Sequence, residues 1–309
     1  MKKIAIVILT FNGEKDTMEC LESIAKMRSL NYKLQIIVVD NGSTDADASV
    51  ISNFQFPISN FGFKVIQNKE NLGFAEGNNV GIRYALENGA DYVVILNNDT
   101  IVHVDLINEL VKTAESSEKI GIVVPKIYFA PGFEFHKDRY KKEELGKIIW
   151  YAGGIMDWRN VLGYHRGVDE VDDGQYQKTE ETDYASGCCM LIKKEVLQKI
   201  GLFDEKYFLY YEDNDLSQRT KKAGFSIFYC PKAVLWHKNA GSAGGSGSHL
   251  QDYYITRNRL LFGIRYAPIR SKLALIRESL GLLLNGRLWQ RRGVLDFYLR
   301  RFGKGSFII

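Results

Sequence analysis

Val93-Val94-Ile95-Leu96-Asn97-Asn98-Asp99-Thr100 is the stretch whose reading decides the fold. An unbroken aliphatic run, mostly β-branched, reads as a strand buried on both faces, the habit of parallel sheets covered by helices. The run ends in two amides and a carboxylate. In open α/β sheets ligands bind beyond the carboxyl ends of the strands, so these oxygens stand where a hydrated cation or a sugar would be met. A plain turn is the competing reading, because Asn and Asp favour turns through local hydrogen bonds.

The same pattern recurs on either side. Ile4 to Leu9 reads as a first strand ending in Thr10-Phe11-Asn12-Gly13, and Leu34 to Val39 as a second ending in Asp40-Asn41-Gly42-Ser43-Thr44-Asp45. Between them Asp16 or Thr17 can cap a helix carrying Met18, Leu21, Ile24 and Ala25 at helical spacing. This β-α-β order predicts a parallel sheet with right-handed crossovers. Lys64 to Gln67 is a short third strand, and Asn71 to Asn79 enters a helix running through Ala85, ahead of the strand Tyr92 to Leu96. No G-x-G-x-x-G follows the first strand and no P-loop occurs, which disfavours a dinucleotide fold or a P-loop enzyme. Asp40 is placed to bond a base or ribose, with an Asx turn capping a helix as its alternative.

Further on, Val102 to Ala114 reads as a helix, Ile120 to Ile127 as a strand, and His136 to Lys147 as a solvated insertion. Tyr151 to Gly154 and Trp158 to Gly163 suggest a hairpin region able to shape an acceptor pocket. Asp183 to Ile192 reads as a strand whose small first residues allow close approach of a ligand or backbone, followed by a helix from Lys194 to Ile200. Glu212, Asp213 and Asp215 then crowd a helix start. The helix dipole favours acids there, but three within four residues exceed what a cap needs. Ile227 to Pro231 and Ala233 to His237 read as two short strands. They lead into Gly241 to Ser248, which is either a linker or a loop flexible enough to close over a ligand.

Composition bounds these readings. A chain of 309 residues, 45% hydrophobic and 25% charged, can build one large α/β domain or two smaller ones. No apolar run reaches the about eighteen residues of a spanning helix, and Ile4 to Leu9 is too short for a signal peptide. Cys20, Cys188, Cys189 and Cys230 lack metal or disulfide spacing, which points to a reducing cytoplasm. The net charge of +4 is uneven: Arg257 to Lys304 holds twelve basic and two acidic residues, hence +10, leaving −6 for the rest. A basic tail implies an anionic partner.

Thr10-Phe11-Asn12, Val38 to Asp45, Asn71 to Ala75, Leu96 to Asp99, Ser186-Gly187, Tyr211 to Leu216 and His237, in this order, resemble the inverting family-two glycosyltransferases of GT-A fold, in particular their rhamnosyltransferase-like branch. The resemblance covers about residues 4 to 258. It implies an α/β fold with a mostly parallel central sheet flanked by helices. It also implies a transferase domain over residues 1–256, with a nucleotide-binding half (1–100) and an acceptor half (101–256), and leaves a basic helical extension (257–309) mostly unexplained. Thr10, Asn12 and Asp40 would hold the nucleoside, and Asn71, Gly73, Phe74, Asn78, Asn98 and Gly187 would line the donor pocket. Asn97-Asn98-Asp99 falls on the family's Asp-x-Asp metal motif and departs from it at Asn97. Asp99 and His237 would then ligate Mg²⁺ or Mn²⁺, Asp213 would be the base, Glu212 and Asp215 would orient the acceptor, and Arg257 would contact the diphosphate. The implied donor is dTDP-rhamnose, then a UDP- or GDP-sugar; the implied acceptor is a glycan or polyprenyl-linked glycan of the cell surface. A sugar-nucleotide nucleotidyltransferase would need a Gly-rich basic loop after the first strand, which Thr10-Phe11-Asn12-Gly13 is not. A non-catalytic nucleotide-sugar-binding module would not need Asp99, Asp213 and His237 together.

The tail needs its own reading. From Leu260 to Phe302 apolar residues recur at three- and four-residue spacing among arginines, predicting two basic amphipathic helices with a break near Asn285-Gly286. Such helices can lie peripherally on an anionic membrane, pack on the transferase body, or pair with a second subunit. No nucleic-acid-binding motif accompanies the charge, so nucleic acid is not an expected partner.

Overall fold

A computed structural model describes residues 1–28, 32–43, 45–56, 61–239 and 248–307, the side chains of 45–48 excepted. The expected closing loop falls outside the described residues except for Ser248, as does Thr44. In chain order the elements are β1 (Lys3–Thr10), α1 (Glu14–Ala25), β2 (Lys33–Asp40), α2 (Asp45–Ser52), β3 (Phe61–Gln67), α3 (Gly73–Glu87) and β4 (Tyr92–Asn97). Then come β5 (Thr100–Val102), α4 (Leu106–Glu115), β6 (Ile120–Phe129), β7 (Ile149–Tyr151), β8 (Gly154–Asp157), β9 (Leu162–His165) and β10 (Glu180–Glu181). The chain continues through β11 (Cys189–Lys193), α5 (Lys194–Ile200), α6 (Glu212–Lys222), β12 (Ser226–His237), α7 (His249–Tyr266), α8 (Ile269–Asn285) and α9 (Leu288–Tyr298).

The central sheet runs β10-β12-β6-β11-β4-β1-β2-β3, with β5 added against β12 and β7 against β6. Strands β1 to β4, β6 and β12 point one way, while β11 and β10 oppose them. The sheet is therefore mostly parallel, as the sequence pattern requires. Ile4 to Ile8, Ile36 to Val39 and Val93 to Ile95 are fully enclosed, each large aliphatic side chain contributing about 1.5 to 3 kcal/mol by leaving water. Helix α3 sits close on β1 and β2 through Gly77 and Gly81. A Cβ at Gly81 would stand 2.4 Å from Val7 and one at Gly77 2.6 Å from Leu9, so this helix face tolerates no side chain.

Several boundaries differ from expectation. Helix α1 begins at Glu14 with Gly13 as its N-cap, so Asp16 and Thr17 lie in its first turn. The expected helix from Val102 is split into β5 and α4, and the strand expected from Asp183 starts only at Cys189. The two short strands before His237 are one, β12, with a register shift between Cys230 and Val234; Pro231 has no N–H for the ladder, and a bulge accommodates it. The tail breaks at Gly286 as expected and again at Ala267-Pro268, giving helices α7, α8 and α9, with residue 257 inside α7.

The tail is joined to the body. Leu260, Phe262, Leu275 and Val294 are buried in the main core, and Phe262 stacks on Trp158 of the β8–β9 turn with ring centres 5.8 Å apart. Among the described residues no helix is long and apolar enough to cross a membrane.

Candidate active site

Register brings the polar strand ends to one edge of the sheet. Thr10 stands beside Asp40, Leu9 beside Asn97, Cys189 beside Leu96, and His237 beside Thr100. Because β11 is antiparallel to β4, it begins where β4 ends. Gly187 and Cys188 therefore share the edge with Asn97 to Asp99.

At one side of this edge lies a pocket of amides around Asp40. Its Oδ1 accepts from the Ser43 amide at 3.0 Å, closing an Asx turn. Its Oδ2 is buried and has no partner among the described residues, an arrangement that leaves one carboxylate oxygen for an incoming donor. Ser43 Oγ accepts from the Asn12 amide at 2.8 Å, tying the loops after β1 and β2 together. Thr10 is buried, and its hydroxyl takes bonds from Thr17 (2.9 Å) and Asn98 Nδ2 (3.3 Å), so both side chains hold strand ends in place. Asn71 Oδ1 accepts from the Gly73 amide (2.9 Å) and Asn41 Nδ2 (3.0 Å). Asn78 Nδ2 donates to Phe74 O at 2.9 Å, leaving its buried Oδ1 without a partner among the described residues.

Asp99 and His237 form the next group. Asp99 Oδ1 lies 3.1 Å from His237 Nε2, and His237 Nδ1 is buried with no partner among the described residues. The Trp150 ring lies edge-on to the imidazole at 4.6 Å. Adjacent ligands of an octahedral ion, each about 2.1 Å from it, stand about 3 Å apart, so this oxygen–nitrogen pair has the spacing of two such ligands. No cluster of three or more His, Cys, Asp or Glu suited to a metal occurs among the described residues; the donor set is one carboxylate and one imidazole.

Asp213 lies across Gly187. Its Oδ2 accepts from the Gly187 amide at 3.0 Å and its Oδ1 from the Asn214 amide (2.7 Å) and Nδ2 (2.9 Å). Burial pushes its carboxyl above the ordinary carboxylate range, with those three donors pulling the other way. The Cys188 carbonyl accepts from the Asn97 amide at 2.9 Å, so the segment Ser186 to Cys188 joins the Asp99 group to the Asp213 group.

The three acids at the start of α6 have different surroundings. Asp213 alone keeps contact with solvent, whereas Glu212 and Asp215 are buried. Asp215 accepts from Arg219 Nε (2.7 Å), Arg265 (2.6 Å), the Tyr266 hydroxyl (2.7 Å) and the Tyr207 hydroxyl (3.3 Å). Those bonds fasten α6 to α7 and leave Asp215 inside the body. Arg257 likewise does not reach the cleft expected for a diphosphate contact. It is fully buried, its guanidinium bonded to Asn258 Oδ1 and to the carbonyls of Lys206, Tyr207 and Arg301.

Between the donor loop and α6 the backbone is strained. Phe208, Tyr210 and Tyr211 have φ of 60°, 67° and 73°, each costing about 1 to 3 kcal/mol for a non-glycine residue. The Phe208 carbonyl accepts from the amides of Phe74 (2.6 Å) and Ala75 (3.3 Å). Gly73, at φ +80°, is required here because a Cβ would stand 2.5 Å from Phe208.

Two groups escaped the sequence reading as site residues. Asn41 accepts from Asn68 Nδ2 and the Leu72 amide and donates to Asn71 and Gly73 O; its place inside Asp40-Asn41-Gly42 was the available signal. Trp150 meets the imidazole of His237 edge-on and also that of His165, whose pKa burial lowers to about 4. No local pattern announced them.

Known proteins are similar to this chain in sequence and fold. The family model described as glycosyl transferase family 2 matches residues 5–201. A low-salt glycan biosynthesis hexosyltransferase of Haloferax volcanii is 25% identical over 259 residues, covering 84% of this chain and 74% of that protein. An N-acetylglucosaminyl-diphospho-decaprenol L-rhamnosyltransferase of Mycobacterium tuberculosis is 26% identical over 230 residues, 72% of each. In structure, a mannosyltransferase of Pyrobaculum calidifontis in complex with GDP-Man and Mn²⁺ aligns with a TM-score of 0.56 at 16% identity, covering 99% of this chain and 76% of that one. With more than half of its length matched by the family model, this chain belongs to glycosyl transferase family 2, has a GT-A fold, and is a glycosyltransferase.

Proposed function

We propose that this chain transfers a hexose, rhamnose first, from a nucleoside diphosphate to a glycan or polyprenyl-linked glycan, with inversion at the anomeric carbon. The observation that carries the reading is the joining of the Asp99–His237 pair to Asp213 through Ser186 to Cys188. Asp40, with Asn12 and the loop at Asn71 to Asn78, holds the nucleoside. Asp99 and His237 would hold a divalent cation, Mg²⁺ or Mn²⁺, which when bound neutralises charge on the departing diphosphate. Asp213 takes the proton of the acceptor hydroxyl as that oxygen bonds to the sugar and the diphosphate leaves from the opposite face. Its raised pKa makes it a stronger base, and its hydrogen bonds from Gly187 and Asn214 fix its aim. The residues fit a single displacement, with residues 1–100 as the donor half and 101–256 as the acceptor half. Rhamnose and a lipid-linked acceptor are favoured by the mycobacterial relative.

The test is a thermal-shift panel of dTDP-rhamnose and UDP- and GDP-sugars, each with and without Mn²⁺ or Mg²⁺. The donor is expected to raise the midpoint, and more so with metal. No shift with any of them would overturn the reading.

We further propose that the tail rests on the inner face of an anionic membrane, where a lipid-linked acceptor is presented. Structure splits the apolar residues of the tail into two sets. Leu275 and Val294 face inward, while Ile269, Leu273, Leu280 and Leu284 stand 70%, 61%, 54% and 74% exposed along one face of α8. Arg270, Arg277 and Arg291 flank that face and are exposed, each contributing about 1 kcal/mol near an anionic surface. Leu273→Ser with Leu280→Ser and Leu284→Ser is expected to lose salt-sensitive cosedimentation with phosphatidylglycerol vesicles. Equal binding to neutral vesicles, or a dimer that covers this face, would count against it.

A further inference from the structure

The strained turn before α6 needs something to hold it, because three positive-φ residues in four persist only where the surroundings over-determine them. The holder is the dipeptide Arg257-Asn258, fully buried in α7. Asn258 Nδ2 donates to the carbonyls of Tyr207 (2.7 Å), Leu209 (2.8 Å) and Tyr210 (2.8 Å). Arg257 reaches the carbonyls of Lys206 and Tyr207 at 3.2 Å each and donates from Nε to Asn258 Oδ1 at 3.0 Å. Two adjacent side chains thus take up four consecutive or near-consecutive carbonyls of one turn. From above, the Phe208 ring stacks on Tyr254 with centres 5.1 Å apart.

What the turn delivers is on both sides of the cleft. Its carbonyl at Phe208 receives the amides of Phe74 and Ala75, which belong to the donor loop, and its last residue, Tyr211, accepts from the Asp215 amide to start α6 and aim Asp213. We propose that Arg257 and Asn258 are positioning residues: they hold the turn 206–211 so that the donor loop and Asp213 keep one fixed relation. The proposal rests on Asp213 being the base. It assigns the buried arginine to backbone geometry in the acceptor half, with no direct part in binding diphosphate.

The experiment uses the full chain, with Asn258→Ala and Arg257→Lys as separate variants and Asp213→Asn measured in parallel. Lysine keeps the charge and loses the fork that spans two carbonyls. Each positioning variant is expected to lower kcat about 100-fold, since a misplacement of about 1 Å suffices for that. Amide exchange is expected to quicken at least about tenfold at Phe74 and Ala75 while the β1 amides keep their protection. Adding Tyr210→Gly, which accepts φ of 67° without strain, is expected to restore at least about tenfold of the lost kcat in the Asn258→Ala chain. Unchanged kcat in both variants, or a loss that Tyr210→Gly leaves untouched, overturns the proposal. So does quickened exchange spread equally through β1, which marks general loosening. If Asp213→Asn itself transfers sugar, the base is elsewhere and the failure belongs to that reading; an inactive Asp213→Asn beside a fully active Asn258→Ala refutes the positioning role alone.

Discussion

Asp99 and Asp213 stand at the same sheet edge, joined by three residues of backbone, and their surroundings suit them to opposite tasks. Asp99 faces an imidazole at 3.1 Å and keeps its side chain 16% exposed, a setting that welcomes a cation and a diphosphate. Asp213 faces backbone and amide donors and is raised by burial, a setting suited to accepting a proton. Surroundings as different as these let one site divide charge stabilisation from proton transfer.

The largest effect is expected at the proton-accepting end. Asp213→Asn removes the proposed acceptor of the proton and little of the nucleotide contact, so transfer should fall by about 10³-fold or more while donor binding by thermal shift stays near normal. In the intact protein kcat/KM should rise with pH along an acid limb displaced above the ordinary carboxylate range, because the base works only when ionised and burial raises its pKa. An Asp213→Asn chain retaining a tenth of the activity would dissolve the division, and an acid limb at the usual carboxylate position would remove its electrostatic basis.

Next is the cation end. Asp99→Ala should lower transfer about 10²-fold, consistent with losing several kcal/mol of charge stabilisation, and donor binding should lose its response to Mn²⁺. His237→Ala should act in the same direction less severely, since it leaves the only carboxylate of the pair. Full activity after exhaustive chelation would mean that the amide at Asn97, where the family has an acid, marks an enzyme working without metal.

How these two ends could be read in advance differs. The parallel half was legible because strands buried on both faces are written as unbroken aliphatic runs, and Ile4 to Ile8, Ile36 to Val39 and Val93 to Ile95 are all of that kind. Strand β11 was not: nothing in Cys189 to Ile192 marks it as antiparallel, although that direction is what brings Gly187 to Asp213. Among the acids, Asp213 and Asp215 look alike in one dimension. They separate only when Arg265 and Tyr266, about fifty residues later, close on Asp215 and bury it. Arg257 passes for a diphosphate contact in one dimension for the same reason, its carbonyl partners being distant in sequence.

The smallest effect is expected at Glu212, the neighbour that makes the proton-accepting end look like a pair. Its Oε2 is buried with no partner among the described residues, and burial first, then the charge of Asp213, holds its pKa well above the ordinary 4.5. Glu212→Gln, of equal size and neutral like the protonated acid, should therefore leave transfer within about threefold. Stability should respond with a definite sign. Between 4.5 and the raised native value the folded chain keeps a proton that the unfolded chain releases, so stability falls as pH rises through that window. Glu212→Gln lacks this loss: its melting temperature should match the parent in acid, below the unfolded pKa, and exceed it increasingly toward neutral and alkaline pH. A loss of transfer beyond about tenfold, or melting curves that stay parallel from acid to alkali, would mean that Glu212 carries charge and that two carboxylates share the work at this end.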